Sequence, residues 1–142
     1  MVFPISKGNA FNISLNGFPI AKLHSCRYLG LHIDDELTWK SHIDVVYNKL
    51  VKFIGIFYKL RNKLPQTVLR TVYFAFVHPH IAYGIELYAN TAVTHLNKLL
   101  ILNNKLLRIL QNKPYNYPPN ELYTAYNDIK LYLYQIYIFS KY

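Results

Sequence analysis

The sequence predicts a mainly α fold, an N-terminal β-hairpin followed by a bundle of four to five helices. Three observations carry this reading. The apolar residues Ile43, Val46, Leu50, Phe53, Phe57, Leu60 and Leu64 recur at alternating intervals of three and four, which aligns them on one side of a helix. Upstream, Phe11, Ile13 and Leu15 alternate with polar residues and run into Asn16 and Gly17, the dipeptide favoured in two-residue hairpin turns. A chain of 142 residues, 52% of them hydrophobic, encloses one core without needing a second. The hairpin is expected over residues 1–35 and the helical region over 36–142, as one compact unit.

After Gly17 the run FPIAKLHSCRYLGLHI alternates less regularly, although Leu29, Leu31 and Ile33 again fall at period two. Asp34, Asp35 and Glu36 end the extended region. The first helix is expected to begin near Thr38 or Ser41, whose hydroxyls suit the orphan N–H groups of a first turn, with Asp44 in a box-like position after Ser41. Pro65 closes that helix and suits the start of the next. The second helix, Gln66 to Val77, carries Val68, Leu69, Val72, Phe74, Phe76 and Val77 on several sides, which predicts burial rather than a half-wet surface. Pro79 breaks or kinks it, and a shorter piece follows around Ile81 to Tyr88.

Asn90, Thr91 and Thr94 offer caps for a helix carrying Leu96, Leu99, Leu100, Leu106, Leu107 and Leu110, which ends before Pro114. NKPYNYPPN, with three of the seven prolines, is a loop, and Pro119 or Asn120 opens a last helix. The C-terminal IKLYLYQIYIF alternates as a strand would. The preceding ELYTAYNDI is helical in pattern and no turn pair separates the two, so helix is preferred. No repeat, linker or low-complexity tract divides the chain.

Lys and Arg number 16 against 7 Asp and Glu, a net charge of +9 that suits a polyanionic partner, either nucleic acid or an anionic membrane. Charge alone does not choose between them. The single cysteine, Cys26, excludes an intrachain disulfide and a cysteine-based zinc knuckle, and fits a reducing compartment. MVFPISKGNAF has no apolar region of the length a secretory signal needs. The most apolar internal stretch, Thr71 to Ala89, is interrupted by His78, Pro79, His80 and Glu86, so it is not expected to span a membrane.

Candidates for catalysis are weak. Asp34, Asp35 and Glu36 form the only carboxylate cluster, yet neighbours on a strand point to opposite faces and only Asp34 and Glu36 could share a metal ion; a solvated turn into a helix is preferred. His78 and His80 are the closest histidine pair, but Pro79 lies between them and no Cys or carboxylate stands at ligand spacing. Cys26 with His24 or His32 lacks any local signature of a nucleophile and base. The five glycines are dispersed and form no phosphate loop.

The basic signal is more local than the overall charge. Between Lys40 and Arg70 stand Lys40, Lys49, Lys52, Lys59, Arg61, Lys63 and Arg70 against Asp44 alone, a net of +6. At about 100 degrees per residue, Lys52, Lys59 and Lys63 fall within about 40 degrees of one another, away from the apolar stripe, with Lys49 beside them. Such a face can track phosphates, though an ordinary solvated helix face has the same appearance. Trp39 and the tyrosines could stack on bases, but for Trp39 the core is preferred.

The segment CRYLGLHIDDELTWKSHI, Cys26 to Ile43, combines YLG, an acidic turn, LTWK and a histidine. It resembles a stretch of the jockey-like, LINE-type reverse transcriptases of non-LTR retrotransposons. Similar agreement runs through KLVKFIGIFYKLRNKLP, LRTVYFAFVHPHIAYGIELY and LNKLLILNNKLLRIL, and more weakly through PPNELYTAYNDIKLYLYQIYIF. The resemblance thus covers nearly the whole chain, and MVF at its start is similar to the end of the segment just after the palm.

What the resemblance implies is a region C-terminal to the catalytic palm, with residues 1–35 at the palm and thumb junction and 36–142 as a thumb. Arg27, Tyr28, Leu29 and Gly30 would then occupy the primer-grip region, in a strand pair around the YLG element, and Lys40, Lys49, Lys52, Lys59, Arg61 and Lys63 would approach nucleic-acid backbone. The implied partners are an RNA/DNA template-primer duplex and the upstream palm and fingers, with no membrane. The family's catalytic aspartates, in an aromatic-Ala-Asp-Asp element, have no counterpart in this sequence, so no activity is expected from the chain alone, no cofactor is expected in it, and Mg2+ is expected only in a full-length polymerase. The family often has Trp and Gly after its Tyr-Gly pair, where Tyr88 and Ala89 follow Tyr83 and Gly84 here. The alternative reading is a helical interaction module that packs on a missing palm and binds no nucleic acid by itself.

Overall fold

A computed structural model describes residues 13–89 and 91–128. Phe11, the Asn90 cap, the MVF start and the helix expected over IKLYLYQIYIF lie outside the described residues. Two antiparallel strand pairs open the fold, β1 (Ser14–Leu15) with β2 (Phe18–Pro19) and β3 (Ser25–Tyr28) with β4 (Leu31–Asp34). Among the described residues six helices follow: α1 (Lys40–Leu60), α2 (Gln66–Phe76), α3 (His78–Ala82), α4 (Ile85–Tyr88), α5 (Val93–Leu110) and α6 (Pro119–Tyr126). The mainly α class is as expected.

The first hairpin turns on Asn16 and Gly17, both left-handed at φ 51 and 81, as a two-residue turn of this hand demands. The alternation of residues does not mark the second hairpin, which folds around the YLG element. Its turn is Leu29 and Gly30, at φ 47 and 82, so Leu29 is 71% exposed while Leu31 is buried, and the period-two pattern over Leu29, Leu31 and Ile33 does not mark one continuous strand. A leucine in the left-handed region carries no sequence cue, because Asn, Asp or Gly are the usual occupants.

Neither Thr38 nor Ser41 caps α1. The residue before the helix is Trp39, left-handed at φ 59 and without a side-chain cap bond. Thr38 is instead bound by the Asp34 carboxylate, which accepts from its backbone N–H at 2.7 Å and its hydroxyl at 3.1 Å. The expected apolar stripe is borne out: Ile43, Val46, Leu50 and Phe57 are buried and Phe53, Leu60 and Leu64 pack against them. Trp39 also packs against this core.

α1 ends at Leu60, and Pro65 stands immediately before α2 in extended backbone. The expectation of all-round burial for α2 fails. Leu69, Tyr73 and Val77 are buried, whereas Val68 and Phe76 are exposed, so the helix contributes one face, centred on a tyrosine. The stretch around Ile81 to Tyr88 divides at Tyr83 and Gly84, with Pro79 in the first turn of α3 and Gly84 left-handed at φ 71. Pro119 opens α6 as expected.

The core lies between α1 and α5, closed by α2, α6 and Tyr88 of α4. Asp44 near the start of α1 pairs with Lys98 near the start of α5, and Gln66 just beyond the end of α1 donates to the carbonyl of Leu110, the last residue of α5, at 3.0 Å. The two long helices therefore run side by side in the same direction. Among the described residues, no helix is long and apolar enough to cross a membrane.

Candidate nucleic-acid interface

Arg27 and Tyr28 end β3, and Leu29 with Gly30 forms the tip of the second hairpin, so these four residues share one exposed turn. The tip is fastened to the helices. Tyr83, between α3 and α4, donates its hydroxyl to the Leu29 carbonyl, and its ring lies 3.5 Å from where a Gly30 Cβ would stand. Close to the same tip, near the start of β4, His42 of α1 is buried with its Nδ1 3.5 Å from the His32 backbone N–H and its ring 5.1 Å from that of Tyr88. Burial holds His42 below the ordinary imidazole range, and the charges of His32 and Lys49 add to this. The Thr91 hydroxyl donates to the Thr38 carbonyl, adding a tie from the start of α5.

The six cations of the first helical stretch are not all brought together. Lys52 and Lys59 project from the solvent face of α1, about 10 Å apart along its axis. Lys49 flanks them on the side toward α3, since its charge also depresses His80 beyond the effect of burial. Lys40 begins the helix on a different bearing. Arg61 and Lys63 lie after the end of α1, so the helical projection that aligned Lys63 with Lys52 does not apply to it. Arg61 stacks on Tyr58 at 4.8 Å with its Nε buried. Arg70 serves the fold, donating from Nε to the Tyr126 carbonyl at the end of α6 at 3.0 Å and covering Phe74. Among the described residues, none of Lys40, Lys49, Lys52, Lys59 and Lys63 makes an ion pair.

The acidic triplet is divided among structural tasks. Asp34 holds Thr38, Asp35 pairs with Lys22 at 3.8 Å and His24 at 3.2 Å, and Glu36 is exposed. Cys26 faces Ile33 across the ladder. His78 lies 3.4 Å from Asp128, away from His80. Among the described residues no three His, Cys, Asp or Glu side chains are placed to hold a metal ion.

A buried polar cluster escaped sequence reasoning. The Tyr73 hydroxyl lies 3.0 Å from Asp128 and 3.3 Å from the Asn103 carbonyl, and the Asn103 amide donates to the Tyr123 hydroxyl at 3.0 Å. Tyr123 in turn donates to Asn104 at 2.8 Å. Burial, together with the Asp128 charge, pushes the Tyr73 phenol well above its usual range. The cluster ties α2, α5 and α6 together with Tyr73, Asn103, Tyr123 and Asp128 all buried, so it fixes the fold rather than a substrate. A polar residue such as Asn103 inside the leucine-rich α5 was the one available signal.

Over 106 residues, 72% of its length, the chain is 30% identical to the RNA-directed DNA polymerase from mobile element jockey of Drosophila funebris. It is 30% identical over 118 residues, 81% of its length, to the protein of the same name from Drosophila melanogaster, and 26% over 106 residues to the probable RNA-directed DNA polymerase from transposon BS of that species. The chain spans only 12–13% of the length of these relatives. No family model and no solved structure matches it. With this agreement along most of its length, the chain belongs to the RNA-directed DNA polymerases of jockey-like non-LTR retrotransposons and corresponds to a short stretch of such a protein.

Proposed function

We propose that this stretch grips an RNA/DNA template-primer duplex by its phosphates, as the region that follows the catalytic palm, and leaves polymerisation to the rest of the polymerase. The observation that carries the reading is the row of Lys52 and Lys59, with Lys49 beside it, on a helix whose opposite face is locked into the core. Unpaired ammonium groups on a rigid rod displace counterions from a phosphate backbone without first breaking an ion pair of their own. Contacts of this kind position a duplex without reading its sequence. The docked hairpin tip supports the same reading, since Arg27 and Tyr28 are exposed beside a turn that Tyr83 and His42 hold against the helices. In this reading Arg27, Tyr28, Leu29 and Gly30 face the primer end, and Mg2+ belongs to the palm of the whole polymerase.

The test is a mobility shift with a short RNA/DNA heteroduplex at fixed salt, comparing the chain with its Lys52→Gln/Lys59→Gln variant. Two exposed charge contacts at about 0.7 kcal/mol each amount to about tenfold weaker binding. Equal binding by the two proteins would refute the assignment of the α1 face.

One observation favours a second reading, a module that packs on the remainder of the polymerase. Leu15, Phe18, Tyr28 and Leu29 are 58–76% exposed along the two hairpins, more apolar surface than a strand pair of this size ordinarily leaves to water. Failure of the chain to bind any duplex, with aggregation relieved by the upstream region supplied in trans, would establish that reading instead.

A further inference from the structure

The loop joining α5 to α6 presents the most exposed large apolar side chain among the described residues, Tyr115 at 87%. The ring stands on a built frame. Arg108 of α5 donates from Nε at 3.1 Å and from a terminal nitrogen at 2.9 Å to the Tyr117 carbonyl, the Lys113 N–H returns to the Arg108 carbonyl at 2.9 Å, and the Tyr117 N–H reaches Pro114 at 3.1 Å. Asn112 turns the chain in the left-handed region at φ 54, and Pro114, Pro118 and Pro119 restrict the backbone on either side. Little backbone ordering entropy would be lost when a ligand meets a loop already held in this way.

The neighbours of that ring are cationic. The Arg108 guanidinium lies 5.8 Å from the Tyr115 centroid and the Lys113 ammonium 4.7 Å from that of Tyr117. Lys105 is exposed one turn before Arg108, and the acid near this loop, Glu121, raises the Tyr117 phenol above its usual range. Asn112, Asn116 and Asn120 are interspersed with the aromatic residues along this segment, so it lacks the continuous apolar run that a protein partner would bury. A flat aromatic face beside fixed positive charge matches a ligand with a flat aromatic base and a negatively charged backbone. The loop also stands at the end of the molecule where α1 and α5 both finish, as the Gln66 to Leu110 bond requires, so the lysine row of α1 leads toward it.

The geometry points to Tyr115, with Arg108 and Lys113, as a site for an unpaired nucleotide, the base stacked on the open face of the Tyr115 ring and its phosphates against the two cations. This rests on reading the chain as a nucleic-acid binder, but it concerns single strand rather than duplex and a loop rather than α1. Stacking tolerates any base, so either RNA or DNA could supply the strand.

The test measures binding of the 142-residue chain to a blunt RNA/DNA duplex, to the same duplex with a five-nucleotide RNA or DNA overhang, and to the free RNA and DNA single strands. An overhang of at least one chemistry is expected to tighten binding about fivefold or more. Tyr115→Ala should abolish that gain and leave blunt binding unchanged, while Tyr115→Trp keeps it. No gain from either overhang, or a gain that survives Tyr115→Ala, overturns the site. Equal weakening of blunt and overhung duplexes by Tyr115→Ala also overturns it. If no duplex binds but a single strand does in a Tyr115-dependent way, the duplex reading falls and the site stands; if no single strand binds either, the site falls too.

Discussion

Gly84 and Leu31 meet so closely that a Cβ on the glycine would lie 2.6 Å from the leucine Cδ2. The contact seats the second hairpin on the turn between α3 and α4, beside the bond from Tyr83 to Leu29. Gly84→Ala meets this crowding in addition to a left-handed φ of 71, and should destabilise the chain by about 1–2 kcal/mol. Gly30→Ala is the comparison, because its φ of 82 is similar but its Cβ would meet only the Tyr83 ring at an ordinary 3.5 Å. Denaturant unfolding of both variants measures the difference, and a Gly84→Ala cost no larger than that of Gly30→Ala would remove the contact from the account.

Tyr73→Phe deletes the hydroxyl between Asp128 and Asn103 and leaves a buried carboxylate short of a donor. The expected loss is about 1–3 kcal/mol. Asn103→Ala strips both Tyr73 and Tyr123 of a partner and should cost a similar amount. Because the residues share one network, the double variant should lose less than the two single losses together. Strictly additive losses in thermal or denaturant unfolding would mean that the cluster does not act as a unit.

How much of this was legible in the sequence depended on range. The α1 stripe from Ile43 to Leu64 was readable because its signal is local periodicity, and Asn16 with Gly17 because their chemistry is that of a turn. The turn of the second hairpin was not legible in the alternation because Leu29 takes a left-handed conformation and its carbonyl is held by Tyr83, 54 residues away. The partners of Tyr73 are 30 and 55 residues distant, so its place at the centre of α2 was invisible and the whole helix looked buried. Likewise, Lys63 was projected onto a helix that stops at Leu60, and Arg70 was counted as surface charge although it closes the end of α6. The exposure of Lys49, Lys52 and Lys59 on α1 was legible because they sit within a long regular element.

Acid should weaken the fold through His42. Its folded-state pKa is depressed below 6.5, chiefly by burial, so the unfolded chain takes up the proton first as pH falls. The stabilisation is complete above about 6.5 and is lost as pH drops through the folded value. His80 shifts in the same direction and adds to the effect. The urea midpoint should therefore be lower at pH 5.5 than at pH 7.5, with a smaller difference in His42→Phe. A midpoint that is flat or rises toward acid would contradict this. On the alkaline side Tyr126, pushed up to about 12 by burial, should cost stability as pH climbs beyond its ordinary value of 10.

The most direct measurement is the salt dependence of duplex binding for the chain and for Lys52→Gln/Lys59→Gln. If the α1 row holds phosphates, the slope of log K against log salt should become shallower by about two in the variant, with no change in preference among duplex sequences. An unchanged slope would contradict the assignment of the duplex grip to this face of α1.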